Sequence, residues 1–296
     1  MTRLTLPSYA KVNLYLDIVG RYPDGYHQLV TLFERIDLSD ELTMETVRGD
    51  RVDFFCDHPD VPTDTSNLVV RAVEKYRQAS GWDAGLRITL KKRIPVGAGL
   101  GGGSSNAASA LKGANILAGN LLPEGELSGI AGRLGADVSF FWSHRAWALG
   151  TGKGDRIEPV SISARLWHLL VYPSVLIPTR QVYEAFSVSD GLARSLTASK
   201  PDVKLLVDAL RDNQQVPKIR RFLFNALEPT VEALYPALQH VKQTIQTKAE
   251  LSNPLISGSG STVMALCGSR EESEKAAWAI RQAEPGWGVF VASTRS

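Results

Sequence analysis

Between Gly97 and Ser105 the chain places five glycines and two serines in nine residues, Gly97-Ala-Gly-Leu-Gly-Gly-Gly-Ser-Ser105, with Pro95 and Val96 leading in. Missing side chains let an anion approach the backbone amides. A helix starting behind the loop adds unpaired N–H groups and the positive end of its dipole. The partner suited to such a construction is a polyphosphate. Ser104 and Ser105 can cap the helix or touch a phosphate or a magnesium ion. A surface linker is the competing reading, but linkers do not normally lie between a strand and an Ala-rich helix behind a stiffening proline. A Walker A loop needs Gly-Lys-Ser/Thr at its end, whereas Gly103 is followed by Ser104. The dinucleotide fingerprint fits formally at Gly97, Gly99 and Gly102. Its strand should be apolar throughout, yet Arg87, Thr89 and Lys91 alternate with Leu86, Ile88 and Leu90, the pattern of a half-exposed strand. That fingerprint remains the alternative.

The elements that carry this loop can be read outward from it. Leu86–Leu90 is the strand before it, and Ser105–Ala118 is the helix after it. Upstream, Ala10, Val12, Leu14, Leu16 and Ile18 alternate with Lys11, Asn13, Tyr15 and Asp17. Residues two apart share a face of a strand, so Lys11 and Asn13 are expected to point the same way, opposite the core. Pro23-Asp24-Gly25 is a turn that presents Tyr26 and His27. Strands are predicted at Leu42–Thr46, Arg51–Cys56, Ala146–Leu149, Leu166–Tyr172 and Gly288–Ala292. Helices are predicted at Ser66–Ala79, Glu124–Leu134, Thr179–Phe186, Lys200–Asp212, Phe222–Leu227, Thr230–Thr247 and Glu271–Gln282. Turns fall at Thr151–Asp155 and at Ser257–Thr262. A shift in composition near Ser161–Arg165 divides the chain into residues 1–162, with the glycine loop, and a helix-richer part, 163–296. The class is α+β.

Bulk properties remove other functions. The 296 residues carry 33 basic and 31 acidic side chains, and 44% are hydrophobic. This is an ordinary globular composition, and a balance that gives no reason to expect a nucleic-acid or membrane partner. Cys56 and Cys267 form no disulfide framework and have no metal-ligand spacing, so no protein-held metal is expected. No signal segment or membrane span is visible, which predicts a cytoplasmic location.

Pro95–Ser105 followed by Asn106-Ala-Ala resembles the second signature of the small-molecule kinase family of galactokinase, homoserine kinase and mevalonate kinase. Three further segments are similar to the branch that acts on a cytidine diphosphate-linked methylerythritol: Ala10–Leu16 with Gly20–His27, Gly135-Ala-Asp-Val-Ser-Phe-Phe141, and Ile256–Val263. The resemblance covers nearly the whole chain. It implies an N-terminal domain like ribosomal protein S5 domain 2, a ferredoxin-like C-terminal domain and an active site between them. It also implies ATP and magnesium as cofactors, and a small-molecule acceptor.

The resemblance assigns roles residue by residue. Asp137 would be the catalytic carboxylate that takes the acceptor proton; the competing role is a cap on the helix starting near Val138. Lys11 would be the catalytic lysine, holding Asp137 ionised and stabilising the acceptor oxygen; the competing role is a solvated strand lysine. Pro95, Val96, Gly97, Ala98, Gly99, Leu100, Gly101, Gly102, Gly103, Ser104 and Ser105 would bind ATP. Asn13, Tyr26, His27, Thr179 and Tyr183 would bind the acceptor, with Tyr26 and His27 on the cytosine and Tyr183 as the opposing aromatic wall. Ser257–Thr262 would brace the glycine loop or touch a phosphate. One departure stands out: Ser139 occupies a position where the family commonly has proline.

Overall fold

The computed structural model describes residues 2–188 and 200–295. The chain divides into two compact units. Unit 1 comprises Met1–Ala10, Ser39–Val96 and Gly101–His144; unit 2 comprises Lys11–Leu38, Gly97–Leu100 and Arg145–Ser296. Two long strands, β1 (Arg3–Arg21) and β2 (His27–Val47), contribute to both.

In unit 1, the end of β2 pairs antiparallel with β4 (Gly85–Lys91), and β3 (Val52–Cys56) runs parallel to β4. Leu86, Ile88 and Leu90 are buried while Arg87 and Lys91 are exposed. This is the half-exposed strand that argued against the dinucleotide fingerprint. Four helices belong to this unit: α1 (Leu68–Ser80), α2 (Gly102–Leu117), α3 (Glu124–Leu134) and α4 (Ala136–Trp142). Asn67 caps α1, its Oδ1 accepting the N–H of Val69 at 2.8 Å. The spacing of small residues lets α2 press onto the sheet, because a Cβ on Gly113 would stand 2.4 Å from the sulfur of Met44.

In unit 2, the first part of β2 pairs antiparallel with β5 (Trp147–Gly152), which forms a hairpin with β6 (Arg156–Pro159). A second sheet has the order β11-β7-β10-β9, formed by Gly288–Ser293, Trp167–Tyr172, Val263–Cys267 and Leu255–Ile256. All its pairings are antiparallel. Among the described residues its helices are α5 (Thr179–Val188), α6 (Val203–Arg211), α7 (Val216–Ile219), α8 (Glu228–Leu234), α9 (Ala237–Lys248) and α10 (Arg270–Ala283). Leu169, Val171, Val241, Ile245, Ala277 and Ile280 are among the residues of its core. Cys267, the last residue of β10, is fully buried, and burial pushes its thiol up to about 12. Cys56, the last residue of β3, is half-buried, and its thiol is raised, chiefly by burial. No helix among the described residues is long and apolar enough to cross a membrane.

The α+β class is borne out, and three local readings are corrected. Phe222–Leu227 is not a helix. A 3₁₀ turn covers Arg220–Phe222, and Phe224–Asn225 is a short strand, β8, parallel to β1. The cause is Asn225, whose buried amide donates to the carbonyls of Ile256 and Gly258, both at 2.8 Å, and accepts the N–H of Leu227 at 3.0 Å. Thr230–Thr247 is two helices, α8 and α9, because Pro236 drives Tyr235 out of the helical region. Lys11 and Asn13 do share a face of β1, but they do not point to solvent: they are 4% and 3% exposed.

Candidate active site

The burial of Lys11 and Asn13 has a local cause. The Lys11 ammonium donates to Asn13 Oδ1 at 2.7 Å and to the carbonyl of Gly99 at 2.8 Å. Asn13 in turn donates to Thr31 Oγ1 at 2.8 Å, and that hydroxyl donates to the carbonyl of Tyr15 at 2.7 Å. A buried ammonium is tolerated only when such acceptors replace water. Lys11 is therefore held in one geometry, with its charge fixed against the middle of the glycine loop. The loop is tied to β1 a second time, by the bond from Lys11 N–H to the carbonyl of Leu100 at 3.0 Å.

The turn at Ser257–Thr262 braces this loop. Ser257 donates its hydroxyl to the same Gly99 carbonyl at 3.2 Å, and Thr262 N–H bonds to the carbonyl of Ala98 at 3.2 Å. Gly99 has φ +74°, and a Cβ there would lie 2.1 Å from the carbonyl oxygen of Ser257. This position needs glycine for its conformation and for the close approach of a second backbone. Ser259 shares a hydrogen bond of 2.8 Å with Thr179 at the start of α5. Thus a single turn meets Gly99 and Thr179, and Gly258 brings its backbone beside Lys11 and Asn13.

Tyr26 follows the turn Tyr22–Gly25, closed by the bond from Tyr22 N–H to the carbonyl of Tyr26 at 2.7 Å. Tyr26 is 61% exposed, and the Lys153 ammonium stands 4.0 Å from its ring centroid while pairing with Asp24 at 2.6 Å. His27 faces inward at 8% exposure, with its ring 5.3 Å from Tyr183 and 5.7 Å from Phe186. Tyr183 is half-buried and packs on the core of unit 2, so its side chain is core and His27 neighbour at once. Burial, helped by the nearby Arg21 charge, lowers the pKa of His27 below its ordinary 6.5. The neutral ring is the folded form, so the contribution of His27 to stability is full above 6.5 and is lost as pH falls below it. His27→Gln should remove this part of the acid sensitivity. The check is the pH dependence of melting temperature for both proteins between about pH 7.5 and 5; parallel curves would refute it.

Unit 1 holds the remaining expected residues. α2 opens behind the loop with Gly101 at its cap and no side chain closing its first turn. This leaves the first N–H groups of a sixteen-residue helix to an anion. A Cβ on Gly103 would meet nothing within 4 Å, so the space above the first turn is open. The loop and helix start therefore fit a polyphosphate. Asp137 lies half-buried in the first turn of α4, whose cap residue is Gly135. It is not the N-cap, and the capping role considered for it does not apply. Ser139 donates its N–H to the carbonyl of Gly135 at 3.3 Å, a bond that proline could not make. Among the described residues no group of three or more His, Cys, Asp or Glu is placed to hold a metal ion.

The sequence missed Thr31, Asn225 and Lys153. Lys153 carried a signal, since it sits in the glycine-flanked turn Thr151–Asp155. Asn225 was hidden by an apolar pattern that reads as helix.

Residues 67–144, with the glycine-rich loop and Asp137, match the model of the GHMP kinases N terminal domain. A 4-diphosphocytidyl-2-C-methyl-D-erythritol kinase of Acaryochloris marina is 36% identical, over 96% of this chain and 94% of its own. One of Citrifermentans bemidjiense is 36% identical over the whole of both chains. A crystal structure of 4-(cytidine 5'-diphospho)-2C-methyl-D-erythritol kinase superposes with a TM-score of 0.81 at 32% identity, covering 99% of this chain and 100% of that one. The homoserine kinase of Cytophaga hutchinsonii, at 20% identity and a TM-score of 0.72, shares the fold. The chain belongs to the 4-diphosphocytidyl-2-C-methyl-D-erythritol kinase family and is an enzyme.

Proposed function

We propose that this enzyme transfers the γ-phosphoryl group of ATP to the 2-hydroxyl of 4-diphosphocytidyl-2-C-methyl-D-erythritol, in the non-mevalonate route to isoprenoid precursors. The observation that carries the reading is full-length identity at 36% with kinases of that name. The geometry around Lys11 supports it, because a fixed ammonium against a phosphate loop is what phosphoryl transfer needs.

ATP would supply the transferable phosphoryl group, and magnesium bound with it would supply the positive charge that neutralises the phosphate oxygens. Pro95–Ser105 holds the phosphates through backbone N–H groups, with Ser104 and Ser105 as hydroxyl contacts. Asp137 accepts the proton of the acceptor hydroxyl, and Lys11 supplies positive charge where the oxygen becomes anionic. Tyr26 and Tyr183 flank the cytosine while His27 reads its edge, and Asn13 and Thr179 position the polyol. Thr179 keeps its hydroxyl fixed through Ser259. A division of labour at residues 162 and 163, with an S5-like N-terminal domain and a ferredoxin-like C-terminal one, belongs to the same proposal, as does a cytoplasmic location.

The test is release of ADP with a panel of acceptors. Turnover is expected with the cytidine diphosphate-linked methylerythritol and not with mevalonate, homoserine or galactose. Comparable turnover of one of the others would defeat the acceptor assignment.

A further inference from the structure

One buried carboxylate in unit 1 has no part in the roles above. Asp40, in β2, is 1% exposed. Its Oδ1 accepts the backbone N–H groups of Arg93 at 2.8 Å and Ile94 at 2.9 Å. Its Oδ2 accepts Asn106 Nδ2 at 2.9 Å and pairs with the Lys92 ammonium at 2.5 Å. A carboxylate is costly to bury, and this one is sustained by four donors, one of them charged.

The donors fall in two places in the sequence. Lys92, Arg93 and Ile94 are the three residues before Pro95, and Asn106 is the residue after Ser105. One side chain therefore holds both ends of the 95–105 loop. A second contact joins the same residues to the helix start: a Cβ on Gly102 would lie 3.0 Å from both Lys92 Nζ and Ile94 Cγ2. The first residue of α2 thus rests directly on the segment that Asp40 fixes. Apolar packing could bring these ends together, but four directed bonds also set their angle. A glycine-rich loop has many conformations to lose. Fixing its ends in advance removes part of that loss from the binding step.

We propose that Asp40 is a positioning residue for the phosphate loop: it clamps both ends, so that the first N–H groups of α2 are aimed before the nucleotide arrives. The inference rests on the reading of 95–105 as the ATP cradle.

Three variants of the full chain test it, with Michaelis constants for ATP and acceptor, turnover and melting temperature measured on each. Asp40→Asn keeps the size but sets an amide against two donors. It is expected to raise the ATP constant by about tenfold or more, with the acceptor constant changed less than about twofold. Asn106→Ala releases only the far tether and strands no charge. Alanine is the better helix former, so melting temperature should hold while the ATP constant rises by about threefold. Gly103→Val tests the cradle itself, because its side chain enters open space at the helix start. If Gly103→Val raises the ATP constant while Asn106→Ala and Asp40→Asn leave it unmoved, the clamp is wrong and the cradle stands. If Gly103→Val leaves it unmoved, both fail. Should Asp40→Asn not fold, Asn106→Ala decides alone. Equal changes in both Michaelis constants, or a lowered melting temperature with no change in the ATP constant, overturn the clamp.

Discussion

Replacing Asp137 by asparagine is expected to lower turnover by roughly two to four orders of magnitude. The change preserves shape and one acceptor oxygen but removes the carboxylate proposed as the base. Acceptor affinity should move much less, since an amide still bonds to a hydroxyl. The structure sharpens this forecast, because Gly135 holds the cap position of α4 and Asp137 does not. The negative charge of Asp137 in that first turn is worth about 0.3–1 kcal/mol, and asparagine keeps the size and one oxygen of the side chain. Melting temperature should therefore change little. Steady-state kinetics with a thermal melt on this one variant separate the outcomes, and full activity would sink the catalytic assignment.

Lys11→Met should cost turnover roughly two to three orders of magnitude, the scale seen when one donor to a developing oxyanion is removed. Here a stability effect is expected too. The substitution takes a donor from Asn13 Oδ1 and from the carbonyl of Gly99. Gly99 keeps the hydroxyl of Ser257, but Asn13 Oδ1 loses its charge-assisted bond. A buried acceptor left unsatisfied costs about 1–3 kcal/mol. A purely structural lysine would lower the melting temperature and leave the turnover of the folded fraction intact. In the double variant with Asp137→Asn, the losses should fall well short of the sum, because the proposed mechanism gives both residues a part in one transfer step. Strict additivity would show that the two act independently.

Local chemistry was legible where one residue dictates one conformation. Glu124–Leu134 was placed to the residue because proline precedes it and Gly135 ends it. The glycine-rich loop, the helix behind it, which opens at Gly102 rather than Ser105, and the half-exposed β4 were legible for similar reasons. The first part of β2 was not. Leu32, Phe33, Glu34, Arg35 and Ile36 are buried in succession, so both faces are covered and no period-two pattern appears. The same double burial misled the reading of Lys11 and Asn13, whose polar face in β1 suggested solvent. Asp137 and Lys11 came from the resemblance, not from periodicity. Bonds such as Ser257 to Gly99 join residues 158 positions apart. No local pattern announces them; they emerge only when the sheet register is set. Asn225 shows the converse, a side chain whose three hydrogen bonds overrode the helical spacing of its apolar neighbours.

The two cysteines fall one to each unit, Cys56 at the end of β3 and Cys267 at the end of β10. The thiolate is the reactive form, so a fully buried thiol raised to about 12 is inert to alkylation at neutral pH until its strand opens. Cys56, half-buried and less strongly raised, reacts from a more accessible position. The chain thus carries a built-in chemical clock for each unit. Brief pulses of iodoacetamide along a denaturation series, followed by mass counting of one or two adducts, would time the opening of β10 separately from that of β3 without any engineered label.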